Sequence, residues 1–494
     1  MENPTPQDPW KTIDKDLQRI SVLEQGTMYV SRPLVGMGVA LAFMVIVGFA
    51  AAAFFDASHG SAIVVAAAVF GAYMALNIGA NDVANNMGPA VGANALTMGG
   101  AIVIAAICES AGALLAGGGV VSTISKGIID PSMIESSQVF IWAMMAALVS
   151  SALWVNLATW IGAPVSTTHS VVGGVMGAGI AAAGFTAVNW ESMGMIAASW
   201  VISPALGGIV AAMFLAFIKS RIIYQEDKIS AARRWVPVLI AIMAGVFSTY
   251  LAIKGLKKIV SVDLVPALII GLGVAVVTYF ASKPYINKKS QGLENRNKSL
   301  KILFGLPLVI SAALLSFAHG ANDVANAVGP LAAIVHTQEF GEIAGKVQIP
   351  HWVMIIGAFG ISFGLITFGP KLIKMVGSQI TKLNPMRAYC VALSAAITVI
   401  VASWLGLPVS STHIAVGGVF GVGFYREWDH ARRTRKYAEQ HGSGKIVAPE
   451  ERRRRKLVRR SHFMTIVAAW IITVPAAALL SAVVFLALNG LFNV

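Results

Sequence analysis

Charge is what this chain has least of. Only 12% of its 494 residues are Asp, Glu, Lys or Arg, against 56% hydrophobic, and the mean hydropathy is +0.72. Soluble domains carry about 25% charged residues, so a water-soluble globule is excluded. Cysteine is scarce as well. Cys108 and Cys390 both lie in apolar runs, which argues against a disulfide framework and a thiolate metal site. No Gly-x-x-x-x-Gly-Lys-[Ser/Thr] loop is present to cradle ATP, so work must be driven by an ion gradient or a partner. Alternating segments of about 10 residues, the mark of a transmembrane barrel, are missing too. Residues 1–32 are polar and are not followed by a cleavage site, so 33–55 reads as a retained membrane helix rather than a signal peptide.

What fills the sequence instead is apolar runs of roughly 20 residues, each long enough to cross a bilayer of about 30 Å. Candidate spans are 33–55, 61–80, 97–116, 138–161, 192–219, 235–253, 262–282, 301–319, 352–375, 388–406 and 463–489. Shorter apolar pieces at 164–185 and 408–425 follow spans that end in Gly162 and Gly406. The net charge of +14 is concentrated in the polar linkers 220–234, 283–300 and 426–460, as in Arg452–Lys456. Positive-inside topology accounts for that excess, and no nucleic-acid role is needed. The expectation is an all-α polytopic protein of a bacterial inner membrane, with linker 426–460 mobile or partly helical.

One heptapeptide organises the chain. Gly79-Ala80-Asn81-Asp82-Val83-Ala84-Asn85 recurs letter for letter as Gly320-Ala321-Asn322-Asp323-Val324-Ala325-Asn326. A second element, Pro164-Val165-Ser166-Thr167-Thr168-His169, returns as Pro408-Val409-Ser410-Ser411-Thr412-His413, each copy followed by Val-Gly-Gly-Val after two residues. The two motifs keep their order and almost their spacing, which is a two-fold duplication rather than a solenoid. The expected organisation is a polar segment 1–32, an extra helix 33–55, a first repeat 61–219, a connecting region 220–300 with two membrane helices, and a second repeat 301–494.

Charge also orients the copies. The Lys- and Arg-rich linker 426–460 belongs in the cytoplasm, whereas its counterpart around 184–191 has no Lys or Arg, carries Glu191, and belongs outside. Linkers 220–234 and 283–300 then fall inside. The span leading to Asp323 starts from the cytoplasm and the span leading to Asp82 starts from outside. This is an inverted pair. Only loop 254–261, with Lys254, Lys257 and Lys258 facing outward, stands against it.

A carboxylate at membrane depth is costly unless it is paired, and so marks a functional site. In a helix Asn81, Asp82 and Asn85 share one side, and Gly79 and Gly88-Pro89 bracket them, which suits a helix that breaks or ends near the midplane. Carboxylate, amide and freed carbonyl oxygens make a hard cage suited to Na⁺. The alternative is that these polar groups only bond helices together; exact duplication favours the site. Proline and hydroxyl residues suit a helix start, whose exposed N–H groups attract oxyanions. Neither element contains Lys or Arg, so an anion there would be held by neutral donors beside bound cations. The alternative is an ordinary capped helix start. His169 and His413 are expected to cap or hydrogen-bond rather than carry protons. Glu109 is a second intramembrane carboxylate, without an acidic counterpart in the later half, that would hold a cation or pair with Lys126. Most of the Trp residues sit near span ends, as interfacial anchors do, and none is assigned a substrate role.

These paired motifs resemble the duplicated signature of the inorganic phosphate transporter (PiT) family, over about residue 61 to the C-terminus. Cys108-Glu109-Ser110-Ala111-Gly112 and Thr123–Ile129 are similar to its sodium-coupled branch. The resemblance implies Na⁺-phosphate symport, inverted repeats, broken helices, two re-entrant hairpins and often a homodimer. It implies no enzyme activity and no cofactor, with Na⁺ as coupling ion. Carried over by residue, Asn81, Asp82, Asn322 and Asp323, with Glu109, would serve the cation. Ser166, Thr167, Thr168, Ser410, Ser411 and Thr412, with Asn85 and Asn326, would hold phosphate. Segment 33–55 and linker 426–460 depart from the compact family pattern. Rival readings on the same fold are a sulfate permease and an H⁺-coupled carrier of phosphate or metal phosphate; a passive channel is a third. An intramembrane aspartyl protease also needs two buried Asp residues, but its Gly-x-Gly-Asp motif is not the Gly-Ala-Asn-Asp found here.

Overall fold

The computed structural model describes residues 35–54, 61–161, 165–255, 262–341, 343, 349–375, 383–441 and 460–492. The polar segment 1–32, Pro164, and 442–459 of the charged linker lie outside the described residues, as does the Lys126 side chain. Among the described residues there is no β-strand beyond one isolated bridge, Ile129 to Val188. Eleven helices among them are long and apolar enough to cross a membrane. Numbered in chain order, α1 is Val35–Phe54, followed by α2 (Ser61–Asn81), α3 (Val83–Gly92), α4 (Met98–Ala116), α5 (Gly118–Lys126), α6 (Ser137–Ile161), α7 (Thr167–Ala183) and α8 (Trp190–Ile218). The connecting region gives α9 (Lys228–Lys254), α10 (Leu264–Lys289) and α11 (Asn297–Leu303). The second half gives α12 (Gly305–Asp323), α13 (Ala325–Phe340), α14 (His351–Met375), α15 (Pro385–Trp404), α16 (Ser411–His441) and α17 (Arg460–Phe492).

Two of the expected spans continue beyond their sequence limits. Residues 61–80 and 301–319 are the first parts of broken helices, α2–α3 and α12–α13, that jog at Asp82 and Val324 and then run on. At the first jog Asn85 N bonds to Asp82 O (3.0 Å), a three-residue closure. Pro89 and Pro330 lie inside α3 and α13 rather than ending them. Each proline lacks the N–H that would have bonded four residues back, which frees the carbonyls of Asn85 and Asn326. Pro385 opens α15 behind the Asn384 cap, whose side chain accepts from Arg387 N.

The halves are interlaced. Helix α2 packs on α14 and α12 packs on α4; α7 packs on α17 and α16 packs on α8. Every pairing joins one repeat to the other, and each has its exchanged twin. The closest contacts repeat the pattern. A Cβ on Gly79 would lie 1.9 Å from the Ile361 carbonyl oxygen, and one on Gly320 would lie 2.1 Å from that of Glu109. Only glycine fits at these two crossings, which sit at the head of the duplicated heptapeptide.

Packing depth sorts the helices. Along α15 nearly every residue from Pro385 to Cys390 and on to Ala396 is buried, so this helix is central. On α10 only Ala267, Gly271, Ser282 and Ile286 are buried. Its outward Ile269, Leu272 and Val277 would each cost roughly 1.5–3 kcal/mol in water relative to burial, a cost that a hydrocarbon surround removes. The C-terminal end of α3 and the N-terminal turn of α12 line one cavity, together with the ends of α10 and α14 and the start of α15. Helix α16 carries the beginning of linker 426–460 as helix to His441.

Candidate substrate and cation site

The two duplicated motifs converge. Ser166 and Ser410 cap α7 and α16 alike, their hydroxyl oxygens accepting from His169 N (3.1 Å) and His413 N (3.4 Å). The helix starts are therefore capped, and each serine keeps a hydroxyl proton to donate. The next hydroxyls turn to the carboxylates. Thr167 donates to Asp82 Oδ2 (2.7 Å), Thr412 donates to Asp82 Oδ1 (3.1 Å), and Ser411 donates to Asp323 Oδ2 (3.2 Å). Asp82 thus takes one hydroxyl from each helix start. The amides cross in the same way: Asn85 donates to Thr412 (2.9 Å), and Asn326 donates to Thr167 (3.2 Å) and Thr168 (3.1 Å). Thr168 donates to the Val409 carbonyl (3.1 Å), tying one element to the other.

Asn81 and Asn322 play a bracing part. Asn81 donates to Thr159 (2.8 Å) on α6, and Asn322 donates to Ser403 (3.0 Å) on α15 while accepting from Val409 N (3.2 Å). At the site three acceptor oxygens remain buried without a hydrogen-bond partner: Asp323 Oδ1, Asn326 Oδ1 and Asn86 Oδ1. A buried acceptor left unmatched costs about 1–3 kcal/mol, and a cation would offset it.

Glu109 sits at the edge of this cluster with 0% exposure. Glu109 takes the Asn86 amide (3.0 Å) and His319 Nδ1 (2.6 Å from Oε2); the side chain of Lys126, one of the two expected partners, lies outside the described residues. The other ring nitrogen of His319 lies 2.7 Å from Asp323 Oδ2. His319 and Asn86 are site residues that the motif comparison passed over. His319 stands four residues before Asp323, where the first repeat has Ile78. Glu109 meets Gly320 at one crossing, and Ile361 meets Gly79 at the other. The duplicated frame therefore carries an acid–imidazole–acid chain on one side and two isoleucines on the other.

Asp82, His319 and Asp323 each offer a ligand atom, all within 4.8 Å of one another. Three carboxylates face one imidazole, and among the described residues no Lys or Arg side chain is buried. Even with His319 protonated the cluster carries two net negative charges, which only cations or protons can neutralise at this depth. His169 and His413 stand edge to face with centroids 4.6 Å apart, and His169 packs on Trp200 at 3.9 Å. Trp200 is no interfacial anchor: its Nε1 donates to the Pro408 carbonyl (3.1 Å) and buttresses the second element.

A lipid-facing bundle, two broken helices with carboxylates at the breaks, and two hydroxyl-bearing helix starts between them define a multi-pass membrane transporter rather than an enzyme. The chain belongs to the phosphate transporter family, whose model matches residues 78–481. It is 45% identical to a candidate phosphate permease of Helicobacter pylori, over 96% of this chain and 99% of that one. It is also 38% identical to one from Pyrococcus abyssi, over 84% and 96%. Among solved structures it is similar to a sodium-dependent phosphate transporter, with 34% identity, a TM-score of 0.77, and coverage of 87% of this chain and 99% of the other.

Proposed function

We propose that this protein is a secondary symporter that moves inorganic phosphate across the membrane with Na⁺ by alternating access. The carrying observation is the charge pattern. Within the site the carboxylates of Asp82, Glu109 and Asp323 outnumber the one imidazole among them, His319, and the helix starts that would meet an oxyanion hold hydroxyls but no fixed cation. An anion can be stable here only beside bound cations, which makes the two bind together; that interdependence is coupling in its thermodynamic sense. In this assignment Asn81, Asp82, Asn322, Asp323 and Glu109 serve the cation, and Ser166, Thr167, Thr168, Ser410, Ser411 and Thr412, with Asn85 and Asn326, serve phosphate. The sodium dependence named for the similar solved structure supports the choice of ion.

The repeats are inverted in this proposal. Its support is that α3 ends, and α12 begins, in the same cavity, so the two broken helices run in opposite directions. The α7 and α16 starts then form the tips of two re-entrant hairpins. Lys254, the residue at odds with the charge pattern, lies by Gly119 and the carbonyl of Ser403, near the end of α15 away from Pro385.

A second reading, H⁺ coupling, is favoured by one feature: His319 bridges two carboxylates and could carry the proton. Labelled phosphate uptake into proteoliposomes separates the two. An imposed Na⁺ gradient should drive accumulation above equilibrium, and sulfate should compete poorly. Protonated phosphate can donate to a carboxylate, whereas sulfate leaves acceptors unmatched at about 1–3 kcal/mol each. Accumulation driven by a pH gradient alone would overturn Na⁺ coupling, and equal competition by sulfate would overturn the substrate assignment.

A further inference from the structure

A cavity of about 1140 Å³ opens where α10, α14 and α15 meet the ends of α3 and α12. Its wall carries Lys289, Lys301, Lys374 and Arg387, with Tyr285 and Asn384, and no Asp or Glu. Lys289, Lys301 and Arg387 have no carboxylate partner among the described residues. Arg387 is half-buried; its Nε donates to Asn384 Oδ1 (3.0 Å), which fixes the guanidinium plane. Arg426 stands near enough to repel it. Like charges gathered in a concave wall that contains no Asp or Glu cost energy that an anion would relieve. The cavity far exceeds one inorganic phosphate ion, because pockets of roughly 300–1,000 Å³ already enclose drug-sized ligands.

We propose that this cavity is a second anion site, distinct from the transport site, for a ligand carrying several phosphoryl groups. Arg387 and the three lysines bind the phosphoryl oxygens, and Tyr285 and Asn384 supply neutral polar contacts. Such groups arrive either on an anionic phospholipid headgroup or on a soluble multiply phosphorylated solute. Basic pockets between membrane helices on the cytoplasmic side suit lipid headgroups, and linker 283–300, assigned to that side by its charge, borders this one. Both broken helices reach the cavity, so an occupant contacts the two parts of the frame that carry Asp82 and Asp323. Binding is independent of which ion drives transport.

The test uses the full chain, purified in detergent and in nanodiscs. The soluble arm titrates inositol hexakisphosphate calorimetrically. The lipid arm compares thermal stability in phosphatidylcholine nanodiscs with and without cardiolipin. One arm should show saturable 1:1 binding that weakens with salt. Arg387→Gln should weaken it about tenfold, the scale of one charge-assisted contact, and the Lys289→Gln, Lys301→Gln, Lys374→Gln, Arg387→Gln variant should abolish it. Arg387→Lys should restore it in part. A control, Lys228→Gln with Lys298→Gln, removes charge from the same face outside the cavity and should bind normally. Arg387→Gln keeps the inference testable if the fourfold variant fails to fold. Absence of binding in both arms, equal loss in the control, or unchanged binding by Arg387→Gln would overturn the site. So would a rise only in the apparent KM for phosphate, which would make the cavity an entry funnel.

Discussion

Thr412 donates a hydrogen bond to Asp82 across 330 residues of sequence. The bond joins the hydroxyl element of the second repeat to the carboxylate of the first, and Thr167 supplies the other hydroxyl from the first repeat's own element. Replacing Thr412 with Val keeps the shape but leaves a buried carboxylate oxygen unmatched, at about 1–3 kcal/mol. Thr412→Val should therefore lower phosphate uptake at limiting Na⁺ by roughly tenfold or more, and Thr412→Ser should restore most of it. Asp82→Asn and Asp323→Asn should each abolish concentrative uptake while the protein still elutes as a folded species. Near-normal uptake by both at equal expression would remove Asp82 and Asp323 from the cation site.

His319 holds two buried acids at once. Removing one member of a buried ion pair costs about 3–5 kcal/mol, because its partner is left uncompensated. His319→Gln should lower the detergent melting temperature markedly. Adding Glu109→Gln should recover part of that loss, since the two changes act on one contact. Additive losses in the double variant would show that the Glu109–His319 bond has no coupled energy.

Inversion of the repeats has a direct readout. In a background lacking Cys108 and Cys390, Phe185→Cys and Lys436→Cys occupy exposed positions that follow the first and second Pro-Ser-Thr-His elements. An impermeant thiol reagent should reach one only from outside and the other only from inside. Labelling of both from the same side would mean parallel repeats.

Asp429, outside the candidate membrane spans, meets Lys219 Nζ from the end of α8 at 2.7 Å from Oδ2, Tyr224 OH also donates to that carboxylate, and Arg433 stacks on the Tyr224 ring. Burial pushes the Asp429 carboxyl up, but hydrogen bonds from Lys219 and Tyr224 and the charges of Lys219 and Arg433 outweigh it and hold it below the usual range. A depressed carboxyl contributes stability above its unfolded value, and that contribution is lost as pH falls through the folded one. Asp429→Asn should thus cost on the order of 1 kcal/mol at neutral pH. The difference from wild type should fade below about pH 4, the ordinary carboxylate range. Thermal melts across that range check it; a difference that persists at the acid end would assign the effect to packing.

The spans, the two motif pairs and their order are legible in the sequence because each is a local pattern of apolar length or exact recurrence. The convergence of Asp82, Thr167 and Thr412 follows only once the repeats interlace, and no local signal states that α16 packs on α8 as well as on its own neighbour α15. His319 was missed for a different reason. A letter-for-letter repeat draws the eye to what the copies share, and His319 is where they differ, with Ile78 in the first copy. Its signal was available as an ionisable residue inside an apolar span, four positions before Asp323. Gly88-Pro89 suggested a helix end, yet α3 continues through it, since a proline whose backbone gap is buried among other helices need not terminate one.

The packing of α7 against α17 sets a timetable for biogenesis. Helix α7 presents Gly173 and Gly177 to Val474 and Ala478, so closely that a Cβ at Gly177 would lie 2.1 Å from the Ala478 carbonyl oxygen. That partner is synthesised much later, after the whole of α8 to α16. Until it emerges, the small-residue face of α7 has only lipid or an insertase to cover it, so the first repeat cannot finish folding as it is synthesised. Maturation waits for α17, and a chain cut short before it is left with an open flank that membrane quality control can recognise.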